Sequence, residues 1–167
     1  MPIRIGCGSG GAPDRVAPAE DLARLGQLDY LCFESLAERT LAQGHVAQRS
    51  GGIGYSPKLV SRFRAVLPHC VRNGTKVLTN MGAADPLGAG EATARLAKEL
   101  GLSLKIAVIE GDDVLSLITP ETELPETGGT VASFGREPIA ANAYIGYEAM
   151  TDALAAGADV VIAGRVS

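Results

Sequence analysis

The 167-residue chain contains no tryptophan, and three phenylalanines and four tyrosines bring its aromatics to only 4%. Platforms that stack nucleic-acid bases need exposed aromatic rings, so that mode of binding is excluded. Cysteine is scarce as well: Cys7, Cys32 and Cys70 are widely spaced and form no CxxC pair. They supply neither a disulfide framework nor a zinc cluster, and no metal is expected. Positive charge is not in excess, with 15 Lys and Arg against 19 Asp and Glu and a net charge of −4. A nucleic-acid surface would need a clustered basic face. No apolar run approaches the ~18 residues of a membrane span. The start, Met1-Pro2-Ile3-Arg4-Ile5, lacks the apolar core of a signal peptide. The expected compartment is therefore the cytoplasm, with no nucleic-acid or membrane partner.

What the chain does have is a 46% apolar content and 21 glycines, the composition of an α/β protein with tight strand-to-helix turns. Its length suits one domain over residues 1–167. Apolar runs at 3–7, 28–33, 75–79, 104–109, 139–145 and 159–163 read as strands. Amphipathic stretches at 18–26, 35–43, 57–71, 87–100, 113–118 and 146–156 read as helices. The run LDYLCF at 28–33 predicts a strand buried on both faces. In 57–71, Leu59, Val60, Phe63, Val66, Leu67 and Cys70 form the core stripe. Lys58, Arg62 and Arg64 fall on a solvated side, and Pro68 is expected to end or kink the helix. Prolines and glycines break the rhythm at 119–137, which reads as an insertion, a hairpin acting as a lid. Alternating strands and helices predict a mostly parallel sheet with helices on both faces, open and Rossmann-like. A partial β/α barrel suits the same pattern. The last residues, Arg165-Val166-Ser167, follow a strand with no covering helix, as expected of part of a longer chain.

Ligands of parallel sheets bind beyond the carboxyl ends of the strands. Residues just after each predicted strand are thus the candidate site. Gly6, Gly8, Ser9, Gly10 and Gly11 form a glycine loop whose 6, 8 and 11 positions match GxGxxG. Glycines let backbone N–H groups approach a phosphate, diphosphate or carboxylate. Pro13 and Pro18 delay the following helix, which argues against NAD(P). Asp14 and Arg15 close the loop, and Arg15 is a candidate anion anchor. Glu34 stands at a strand end as candidate general acid or base; Glu38, in the helix after it, reads as structural. Asn80 is placed to bind a substrate carbonyl or hydroxyl, with Gly82 in the same turn, and Asp85 reads as the cap before Pro86. Asp112 and Asp113 suit capping, or a cation held with Glu34. Asn142 and Arg165 complete the binding set. Cys7 lacks a neighbouring histidine base, since His45 and His69 lie on helical stretches.

The segments GCGSGGAPDR, LDYLCFESLAERTLA, TNMGAADP and GADVVIAGRV, in this order, resemble the front portion of the acyclic terpene utilisation family of the AtuA type. The matching positions are Gly6, Gly8, Asp14, Arg15, Glu34, Glu38, Arg39, Thr40, Asn80, Gly82, Gly164 and Arg165; the loop departs from the pattern at Ser9 to Pro13. The resemblance implies a bacterial pathway that degrades citronellol- or geraniol-type terpenes through CoA thioesters. A CoA thioester is then the expected substrate, with hydration or isomerisation as the reaction and no certain cofactor. The alternatives are a ligand-binding or scaffold half of a two-part assembly, or a nucleotide-binding α/β domain. A homo-oligomer or a partner chain covering a missing C-terminal portion is expected.

Overall fold

The computed structural model describes residues 2–167. Its main sheet has five parallel strands in the order β1 (Ile5–Ser9), β2 (Tyr30–Phe33), β3 (Lys76–Thr79), β7 (Val160–Ala163) and β4 (Ile106–Ile109). β1 and β4 are its two free edges, so the sheet is open and Rossmann-like rather than a barrel segment. The helices are α1 (Ala17–Leu25), α2 (Glu38–Arg49), α3 (Leu59–Asn73), α4 (Pro86–Glu99) and α5 (Glu148–Ala155).

The chain advances in one direction from β1 to β2, β3 and β4, and right-handed crossovers then put the connecting helices on one face. α1, α3 and α4 pack there against each other, over a core containing Leu31, Phe33, Phe63, Leu67, Val77 and Ile162. The connection from β4 to β7 runs back, so α5 covers the opposite face, with Val161, Ala163, Met150 and Leu154 in a smaller core. β7 enters between strands already placed and is buried at all four residues.

β2 differs from the expectation of burial on both faces: Leu31 and Phe33 are buried, whereas Tyr30 and Cys32 are half-buried. α5 packs on β4 and β7, and among the described residues no helix packs in the same way over the far side of β1 and β2. Ile5 and Cys7 are exposed there. The helix expected at 35–43 begins at Glu38 and continues to Arg49. Side-chain acceptors hold the amides of Ser35 and Leu36, which keeps 34–37 out of helical conformation. α3 runs through Pro68 to a left-handed Gly74. The 113–118 helix is reduced to a 3-10 turn at Leu115–Leu117. Residues 139–145 form no strand. They cross the carboxyl ends of the sheet and make only single bridges, Asn142 with Asp113 and Ile145 with Val166. Within 119–137, β5 (Glu123–Leu124) and β6 (Gly129–Thr130) form a small antiparallel hairpin.

Candidate active site

Three strand ends meet in one hydrogen-bonded cluster. A β-bulge between Cys7 and Ser9 shifts the β1–β2 register and turns Ser9 inward. Ser9 Oγ donates to the Glu34 carbonyl at 2.7 Å and lies 3.2 Å from Ser35 Oγ. Glu34 Oε1 accepts from the Leu36 amide at 2.8 Å and from Asn80 Nδ2 at 3.1 Å. Asn80 Oδ1 accepts the Ser35 amide at 2.9 Å. Glu34 and Asn80, singled out separately from the sequence, therefore form one unit. One carboxylate oxygen of Glu34 is fixed by two donors, and the side chain is exposed to solvent.

Beside this unit lies a cavity of about 400 Å³ between α2, the 53–57 loop and the turn after β3. Leu36, Ala47, Ile53, Tyr55, Met81 and Ala83 give it apolar walls, and Ser35, Thr40, Gln43, Ser56 and Asn80 add polar side chains. Ala83 has a left-handed backbone, φ 47°, which a residue with a Cβ seldom adopts. Its amide bonds Asn80 O, and the next amide bonds Gly54 O, so the strained turn is tied on both sides of the cavity.

Behind the cavity wall stands Arg62, which is completely buried. This corrects its placement on a solvated helix face. Nη1 donates to Ser35 Oγ at 2.6 Å and lies 3.7 Å from Met81 Sδ. Nη2 donates to the carbonyls of Gly11, Ala12 and Asp14. Nε has no partner. Burial pushes the guanidinium pKa down, and the charge of Asp14 opposes that shift. The sequence did carry a signal for this residue. Position 62 completes the buried stripe 59, 62, 63, 66, 67, 70 at three- and four-residue spacing.

The glycine loop is built differently from an anion cradle. The Gly10 amide donates to its own loop's Asp14 carboxylate at 2.8 Å. The loop carbonyls face cations instead: Arg62 takes three, and Lys58 Nζ donates to Pro13 O and Asp14 O. A Cβ on Gly8 would stand 2.5 Å from the Phe33 ring, and one on Gly6 would collide with Leu28. These two glycines let β1 pack closely on its neighbours. Gly11 and Arg15 lie at the surface end of the loop, Arg15 in an open depression beside Cys7 and outside the cavity lining. Gly82 is a close-approach position: its amide donates to Ala163 O at 3.0 Å, and a Cβ would lie 2.5 Å from that oxygen. Asp85 caps α4 through the Gly88 amide.

Asn142 and Arg165 belong to a second cluster, on the β7–β4 side of the sheet. Buried Asp112 accepts from the Arg165 amide at 2.8 Å and from Asn142 Nδ2 at 3.0 Å. Asn142 Oδ1 is then turned to His45 Nε2, 3.1 Å away, which makes that nitrogen the donor. Arg165 stacks on Tyr144, 4.6 Å from ring centre, and donates to Glu38 at 3.2 Å. Its own backbone N–H, Tyr144 and Arg165 hold the Glu38 carboxyl below its usual range. His45 was not among the sequence candidates for the site. Asp113 caps the 3-10 turn through the Leu115 amide. Among the described residues no three His, Cys, Asp or Glu side chains converge on a cation position, and Asp112 and Glu34 sit in separate clusters.

Among the described residues no helix is long and apolar enough to cross a membrane. No curated protein and no solved structure matches the chain. A family model does, that of the acyclic terpene utilisation family protein AtuA, over residues 3–167. With nearly its whole length covered by that match, the chain belongs to the acyclic terpene utilisation family AtuA.

Proposed function

We propose that this protein acts on an acyl-CoA thioester of acyclic terpene breakdown, with the branched acyl chain in the cavity and the thioester carbonyl at its Ser35–Asn80 end. The observation that carries this reading is an apolar cavity whose polar end adjoins a positioned carboxylate. At about 400 Å³ it has room for an acyl chain but not for a nucleotide as well. Burial of each CH₂ contributes ~0.8 kcal/mol, so a terpenoid chain gives ample anchoring. The CoA phosphates would remain outside, where exposed Arg15 offers counter-charge. Glu34 takes the proton from the carbon next to the carbonyl through its outer oxygen. The C–H pair becomes the enolate double bond, and the negative charge moves to the carbonyl oxygen oriented by Asn80. Return of the proton at another carbon completes an isomerisation; addition of water across an activated double bond, proton and hydroxide together, completes a hydration.

The test is Glu34→Gln, assayed with citronellyl- and geranyl-CoA. Turnover is expected to fall ~10²–10⁴-fold with binding retained. Unchanged turnover would remove Glu34 from this role.

A second reading follows from the uncovered side of β1 and β2, where Ile5 and Cys7 are exposed. In it the chain is the ligand-binding half of an assembly with a further polypeptide or a second copy. Ligand binding that is unaffected by Glu34→Gln, with no turnover by the chain alone, favours it.

A further inference from the structure

We propose that Ser35, polarised by Arg62, is the hydrogen-bond donor to the acyl oxygen of the cavity's ligand, which makes the cavity selective for acyl groups that carry or develop negative charge. This rests on the reading of the cavity as an acyl site. The directions of the hydrogen bonds lead to it. Arg62 can only donate, so Ser35 Oγ accepts from Nη1 at 2.6 Å. Ser9 spends its own proton on the Glu34 carbonyl at 2.7 Å. Among the described residues the Ser35 proton is left with one acceptor, Ser9 Oγ at 3.2 Å, longer than the ~2.5–3.0 Å of a well-formed O–H···O bond. Ser35 lines the cavity, so a ligand oxygen there can take this proton at small cost. A hydroxyl that accepts from a cation is also a stronger donor, because successive hydrogen bonds polarise one another.

Among the described residues no carboxylate lies within salt-bridge distance of the charge behind it; Asp14 acts on it from farther off and gives its own oxygen to the Gly10 amide. Completely buried Arg62 donates to three carbonyls and a hydroxyl, and among the described residues it forms no salt bridge and leaves Nε unpartnered. A buried cation whose direct hydrogen-bond partners are all dipoles favours negative charge nearby. The cavity adjoins this charge: its wall residues Ala12, Ser35 and Met81 all contact the guanidinium. Asn80 adds a second donor: one of its two amide hydrogens is engaged by Glu34, which leaves one for the same oxygen. Ser35 thus touches the ligand, and Arg62 is a positioning residue that acts through it.

The experiment is calorimetric titration of the whole chain at pH 7 with citronellate and with citronellol. The two share one carbon chain, and the carboxylate stands in for charge on an acyl oxygen. The chain is expected to prefer the acid, and Ser35→Ala to lower the acid-to-alcohol affinity ratio ~10-fold or more. Ser35→Thr, which keeps the hydroxyl, preserves the ratio. Arg62→Met lowers it as Ser35→Ala does; if that variant does not fold, the Ser35 pair decides alone. An equal affinity for acid and alcohol, or a ratio unchanged in Ser35→Ala, overturns the inference and leaves the cavity reading standing. Failure of both probes to bind the unaltered chain overturns the cavity reading itself and this inference with it.

Discussion

Cys70 is buried in the main core between α3 and its neighbours, and burial pushes its thiol pKa up to about 12. At pH 8 it is a packing atom and not a nucleophile. Cys7 is exposed on the open side of the sheet, and half-buried Cys32 faces it across the β1–β2 register. Burial, and then the proximity of Cys7, raise the Cys32 thiol. Maleimide at pH 8 should therefore label Cys7 first, Cys32 slowly and Cys70 only on unfolding; mass spectrometry of digested samples reads the order. Asp159 illustrates the opposite shift. Partial burial raises its pKa, but the Lys105 amide and the Lys76 ammonium, 2.8 and 2.7 Å away, outweigh that and hold it below the usual 3.8. A carboxyl depressed in the folded state adds stability above its unfolded pKa and loses it as pH falls through the folded value. Asp159→Asn should lower stability at pH 7 by about 0.5–1.5 kcal/mol in urea melts. The gap to the unaltered chain should close as pH drops below about 4. A gap independent of pH would show that ionisation of Asp159 is not its source.

β1 is the element whose role changed most between sequence and structure. Its glycines fit a phosphate-loop spacing, yet Gly8 sits at the bulge against the ring of Phe33, which is itself fixed in the core. Gly8→Ala is expected to destabilise by ~1–3 kcal/mol, as overpacking does. Gly10, with open space around its Cβ position, should accept alanine within ~0.5 kcal/mol. Thermal melts of the two variants check the contrast, and equal effects would refute this account of the loop. Apolar periodicity located α1, α3, α4, α5 and all five strands of the main sheet, because each buries one face or both. It misplaced α2, whose start is set by side-chain bonds from Glu34 and Asn80, the latter from a turn 45 residues away. It put Arg62 on the solvent side on the strength of residue type, although the spacing of the stripe included it. It read 139–145 as a strand from β-prone residues, where no sheet edge runs alongside to pair with them.

Across the whole molecule, the late entry of β7 between β3 and β4 determines which residues meet. It brings Ala163 O to the Gly82 amide and the Arg165 amide to Asp112, which also holds Asn142 and so anchors 139–145 across the sheet. Asp112→Ala leaves buried donors unpaired and should cost about 2–3 kcal/mol. Hydrogen exchange should quicken around 142–145 before it does in β7; protection unchanged there would show that Asp112 is not the anchor. The five strands of the parallel sheet, most of its helices, the family and the positions of Glu34 and Asn80 at strand ends were legible in the sequence. These depend on local periodicity and on the rule that parallel strands collect their carboxyl ends at one edge. The strand order, the cavity, the buried Arg62–Ser35–Ser9 chain and the Asp112 cluster were decided only by the tertiary structure. Each depends on which distant segments become neighbours, and on which polar groups that neighbourhood removes from water.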